Sequence, residues 1–156
     1  MDASGFSPAS CAGVITVAAT SRAGGRASYS NFGSVVDLAA PGGDTGAGIL
    51  STFNAGTRAP AGDSYASYNG TSMAAPHVAG VVALMLSTYP ALTPDQVEVK
   101  LKAGARAFPA ACAGCGAGIV DATAALDAST TLPLCTAQRG RSRTIHAAAD
   151  LVTGLY

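Results

Sequence analysis

A serine placed directly in front of a long apolar run constrains this chain more than any other feature. The stretch is Asn69-Gly70-Thr71-Ser72-Met73-Ala74-Ala75-Pro76-His77-Val78-Ala79-Gly80, continuing as Val81-Val82-Ala83-Leu84-Met85-Leu86. The apolar and small residues predict a helix from about Thr71 to Ser87, ended by Tyr89-Pro90. Pro76 is compatible with it if it lies in the first turn, where a missing N–H costs nothing. Residues apolar almost all round predict a helix buried inside something larger. Ser72 then lies at or near the N-terminus, where unpaired N–H groups and the positive end of the helix dipole favour negative charge. That environment suits the oxyanion formed when a serine attacks a carbonyl.

The elements around this helix read as α/β. Val14 to Ala19 and Val35 to Ala40 are short, nearly continuous apolar runs, as in strands of a parallel sheet covered on both faces. Arg22 to Ser30 is polar and glycine-containing and predicts a surface loop. Ile49 to Asn54 and Ser64 to Asn69 alternate, and Gly56 to Gly62 joins them, which predicts an antiparallel hairpin leading into the serine turn. Gly42 to Gly48 is glycine-rich but lacks the Gly-Lys-Ser/Thr ending of a phosphate loop, and reads as a turn. Thr93-Pro94-Asp95-Gln96 carries a capping box and an N-terminal proline. The helix it opens has Val97, Leu101 and Ala105 as its apolar stripe, with Glu98, Lys100 and Lys102 outside. Ile119-Val120 predicts a short strand, and Asp121 the cap of a last helix to Asp127.

The chain has 156 residues, a one-domain length, and a formal net charge of zero. Neither nucleic acid nor an anionic membrane is an expected partner. No basic and apolar leader is visible at Met1, and no apolar run is expected to span a membrane. Four cysteines are present. Cys112-Ala113-Gly114-Cys115 reads as a short-loop disulfide of a secreted protein; a zinc site would need a second such pair. Cys11 is left with Cys135 or with a partner upstream, and the sequence leaves both open. Asn69-Gly70-Thr71 also matches a glycosylation pattern, read as coincidence in a catalytic turn.

Gly70 to Gly80 resembles the serine motif of the subtilisin-like serine peptidases. Arg26-Ala27-Ser28-Tyr29-Ser30-Asn31-Phe32-Gly33, then Val36 to Gly42, resembles the family's segment upstream of that serine, and Gly118-Ile119-Val120-Asp121-Ala122 its last strand and final helix. The similarity covers roughly residues 4 to 127. It implies the C-terminal part of a doubly wound, mostly parallel α/β sheet with the serine helix at its centre. The expected organisation is a partial peptidase domain over 1–127 and a linker and poorly ordered tail over 128–156, where Arg139, Arg141 and Arg143 cluster.

What the resemblance implies for function is serine-type endopeptidase activity on polypeptide, secretion, and Ser72 as nucleophile. In this family the triad runs Asp, His, Ser along the chain, so the Asp and His motifs belong upstream of residue 1, as does the oxyanion Asn. His77 does not replace the base: five residues after Ser72 it points about 140° away, and in the family this histidine is not the triad member. It reads as a packed or hydrogen-bonded helix residue. His146 reads as exposed. Asp37, Asp44, Asp63 and Asp121 lack the catalytic context. Losing an oxyanion donor costs on the order of 100- to 1000-fold and losing the base on the order of a million-fold. The chain alone is therefore expected to be inactive, and its expected partner is the missing N-terminal part of the same domain. The alternative is a non-catalytic remnant that associates with a complementing chain through its open sheet edge and bare apolar face. The resemblance implies structural calcium, but no oxygen-ligand loop is identifiable and no metal site is assigned.

Overall fold

The computed structural model describes residues 1–127 and the backbone of Ala147–Ala149. Its centre is a parallel sheet of order β2-β1-β5. Strand β1 is Ile15–Thr20 and β2 is Leu38–Pro41, with Val17 opposite Leu38 and Thr20 opposite Pro41. All six residues of β1 are buried. Its side chains alternate between two cores: Ile15, Val17 and Ala19 join Leu38 and Ala40 on one face, while Ala18 joins Ala39, Val36 and Cys115 on the other. This is the double coverage that the apolar runs predict.

The expected second strand begins late, at Leu38, and Pro41 is its last residue rather than its stop. A proline at a strand end removes no ladder bond that the strand needs. The expected strand at Ile119-Val120 is reduced to isolated bridges. Ile119 pairs with Ala39 and with Arg106, and the Val120 N–H donates to Ala39 O. The loop from Arg22 to Ser30 is only partly on the surface: Gly24, Gly25, Ala27 and Ser30 are buried. Ser30 Oγ accepts from the Ala19 N–H and donates to Asn31 O.

Strands β3, Ile49–Asn54, and β4, Asp63–Tyr68, form the expected antiparallel hairpin, with Ile49 opposite Tyr68. Helix α1, Thr71–Thr88, follows at once and packs across β1, β2 and β5. Val78, Val81, Val82 and Met85 face the sheet. The expectation of burial all round is met on one side only: Pro76, His77, Ala79, Gly80, Ala83 and Leu84 are exposed, Leu84 by 51%. One sheet covers one face of a helix, and this helix is apolar on more than one. By length and composition, its 18 residues with mean hydropathy 1.3 would also suffice to cross a membrane, contrary to the sequence expectation. Core helices of soluble domains share that property, and α1 lies on the sheet.

Helix α2, Pro94–Ala103, has the predicted capping box, with Thr93 and Gln96 bonded reciprocally. Val97 and Leu101 enter the core. Lys100, expected outside, is 5% exposed. Its stem lies in the interior while Nζ donates to Asp127 O at 3.0 Å and sits 5.7 Å from the centre of the Tyr89 ring. Helix α3, Ala122–Leu126, is capped by Asp121 as predicted.

Residues 147–149 form β5, parallel to β1 with Ile15 opposite Ala147. β5 takes the side of β1 away from β2, so β2 and β5 are the edge strands of this sheet. The expected linker and the arginine cluster lie outside the described residues.

Candidate active site

The site is built on a turn rather than a pocket. Strand β4 ends at Tyr68, and Asn69 and Gly70 carry the chain into α1. Gly70 is the N-cap and offers no side chain to the helix end. Its carbonyl accepts from the N–H groups of Met73, at 3.0 Å, and Ala74, at 3.3 Å. Ser72, the second residue of α1, is exposed, and its N–H belongs to the first turn, which has no intrahelical acceptor. An anion beside it would meet that N–H and the positive end of an 18-residue helix. This is the placement the sequence predicts.

Three residues that the sequence reading did not assign hold the turn in place. The Gly70 N–H donates to Gly42 O at 2.9 Å. The Tyr29 hydroxyl lies 2.8 Å from both Gly42 O and Gly43 O, so its single proton is shared between two carbonyls. Burial pushes the Tyr29 phenol up to about 12; the nearby Asp44 carboxylate adds to the rise and a backbone hydrogen bond from Gly70 opposes it. Gly42 must be glycine because a Cβ there would stand 2.5 Å from Ala19 Cβ and 2.8 Å from Gly70 O. Gly43 adopts φ +77°, and a Cβ would approach Asn69 Oδ1 to 2.6 Å. The signal was present in part: Ser28-Tyr29-Ser30 and Pro41-Gly42 fall in segments that carry the resemblance, and Gly43 follows directly. Their contact with the serine turn depends on the tertiary fold, which spacing does not reveal.

The other candidates fall away from Ser72. His77 is exposed, and its Nδ1 lies 2.7 Å from Met73 O, one turn back on the same helix. It is the hydrogen-bonded helix residue expected. Asp37 Oδ2 accepts from the Thr16 N–H and Oδ1 pairs with Lys102 Nζ, each at 2.8 Å. Asp44 is held below the usual carboxylate range by the Ser28 N–H and hydroxyl and by the Thr45 N–H. Asp63 opens β4, and Asp121 caps α3. His146 lies outside the described residues. Among the described residues, no imidazole or carboxylate is hydrogen-bonded to Ser72 Oγ, and no group of three or more metal-ligating side chains occurs. Cys112 and Cys115 form the expected disulfide; Cys11 is exposed and unpaired among the described residues, and Cys135, its expected partner within the chain, lies outside them.

The fold and site define first a class: an α/β protein that presents an exposed serine at the N-terminus of a helix laid on a parallel sheet. The chain belongs to the subtilase family, whose model matches residues 2–123. It is 62% identical over 128 residues to an extracellular protease of Xanthomonas campestris pv. campestris, covering 81% of this chain and 21% of that protein. It is 44% identical over 132 residues to an extracellular basic protease of Dichelobacter nodosus, with the same coverage of 81% and 21%. A protease from Pseudoalteromonas arctica superposes with a TM-score of 0.74 at 54% identity, over 77% of this chain and 37% of the other. Fervidolysin of Fervidobacterium pennivorans, described as a keratinolytic enzyme related to subtilisin, gives 0.67 at 35% identity, over 82% and 21%. The chain thus spans about a fifth of the length of these two curated relatives (21% of each).

Proposed function

We propose that Ser72 is the nucleophile of a secreted serine endopeptidase acting on polypeptide, and that this chain supplies only part of the machinery. The observation that carries the reading is the exposed Ser72 at the start of α1, on a turn held by Tyr29, Gly42 and Gly70. Ser72 Oγ attacks the scissile carbonyl, and the Ser72 N–H donates to the oxyanion that forms. A base must take the hydroxyl proton, and no such group stands at Ser72 among the described residues. In this reading a second segment, equivalent to the N-terminal part of a subtilase domain, brings the histidine, the aspartate that orients it and the second oxyanion donor. The small share of each relative that the chain covers supports this division. Secretion is supported by the Cys112–Cys115 disulfide and by the names of the relatives. Structural calcium finds no cluster of ligating side chains among the described residues, and no step depends on it.

The test is labelling with a fluorophosphonate, which reacts only with an activated serine. The chain alone should remain unlabelled. Mixed or co-refolded with the N-terminal part of a related subtilase domain, it should label at Ser72, and Ser72→Ala should abolish the signal. Labelling of the isolated chain, or labelling that survives Ser72→Ala, would overturn the reading.

A further inference from the structure

A cleft of about 420 Å³ lies behind the serine turn, and neither the fold nor the proposed chemistry accounts for it. Arg22 and Arg106 line it, from the loop after β1 and from the segment after α2. Both are exposed, and neither guanidinium makes an ion pair or hydrogen bond among the described residues. Their backbones are nonetheless held. Ser21 accepts from the Gly24 N–H and donates to Gly25 O, and Arg106 exchanges two hydrogen bonds with Ile119 at 2.9 and 2.8 Å. Thr20 also lines the cleft. It is 1% exposed, and its hydroxyl has no partner among the described residues. That hydroxyl is not among the sealed, unsatisfied polar atoms of the described residues, so it opens onto the cleft and is available there as a donor.

We propose that this cleft binds the carboxylate of an acidic residue in a polypeptide segment. Two guanidiniums, one from the loop after β1 and one from the segment after α2, both unpaired among the described residues, raise the local potential in a protein whose net charge is zero. Their planar forks match a carboxylate, and the Thr20 hydroxyl adds a third donor. Asp44, next to Gly43 of the cleft wall, forms no ion pair with either arginine; its oxygens accept from Ser28 and Thr45. The ligand is a polypeptide rather than a small ion because the cleft is far larger than an ion requires and carries apolar surface from Ile49 and Pro109. The site is not the serine site, yet it shares a wall with it. Gly43 and Gly48 line the cleft, and both lie against Asn69, the residue leading into the turn.

The test measures binding, not turnover, so it does not depend on the peptidase reading. Fluorescein-labelled Gly-Glu-Gly-Glu-Gly and its Gln counterpart are titrated with the full chain by fluorescence anisotropy at about 0.15 M salt, where distant charges are screened. The Glu peptide should bind and the Gln peptide should not. Arg22→Gln and Arg106→Gln should each weaken binding about tenfold or more, and Thr20→Val, which keeps the shape, several-fold. Arg58→Gln, on the hairpin loop away from the cleft, should change nothing, and circular dichroism should show each variant folded. Equal weakening by Arg58→Gln, indifference to both cleft arginines, absence of binding, or competition by inorganic phosphate as effective as by unlabelled Glu peptide would each overturn the proposal.

Discussion

At the scale of single residues, Tyr29 matters for where its hydroxyl is held. Its proton is shared by the Gly42 and Gly43 carbonyls that lie under Gly70. Tyr29→Phe should destabilise the fold by about 1 kcal/mol, read from urea denaturation. The phenol is raised to about 12 from 10.0. Its contribution is therefore complete below pH 10, where both folded and unfolded forms are protonated, and is lost as pH rises towards 12, because the unfolded chain releases the proton first. The wild type should lose stability over that interval more steeply than Tyr29→Phe. Gly42→Ala, whose Cβ would stand 2.5 Å from Ala19 Cβ, should cost about 1–3 kcal/mol through overpacking, measured in the same way. Ser72 was legible from the sequence because a helix start is a local property. Tyr29 and Gly42 were not legible as its supports, since 43 and 30 positions separate them from Ser72 and only the assembled sheet brings them together.

Elements were readable where their signals are local and misread where burial is decided from a distance. The hairpin, the cap of α2 and the cap of α3 all rest on neighbouring residues. Thr93→Ala should remove the bond from the Gln96 N–H to Thr93 Oγ1, leaving the one from the residue 93 N–H to Gln96 Oε1, and lower stability by about 1 kcal/mol, measured as a fall in the denaturation midpoint at unchanged slope. Lys100 looked like a solvent residue because charge predicts exposure. The Asp127 carbonyl that receives it is 27 residues away, and nothing in the periodicity of α2 announces that partner. Ile119 had a strand's composition but only bridges to show for it. The glycines around it approach neighbouring backbone closely, and a longer ladder does not form.

For the molecule as a whole, the apolar side of α1 and the hairpin decide behaviour in solution. Leu84, Leu50, Phe53 and Tyr65 are 51%, 69%, 46% and 72% exposed. Exposed apolar surface on this scale favours association, so the 15.2 kDa chain should elute as concentration-dependent oligomers. Leu84→Glu should shift that profile towards the monomer, checked by light scattering. The parallel sheet and the serine helix were foreseeable from the apolar runs; the half-bare state of the helix was not, because hydrophobicity all round says nothing about how many layers are present to cover it. The strand at Ala147–Ala149 has a consequence of its own. Only one backbone can take up the hydrogen-bonding groups on that side of β1, so any incoming length of polypeptide that extends the sheet there must first evict its present tenant. The last part of the chain is in this sense a rival for the seat, and shortening it before residue 147 would leave the seat open.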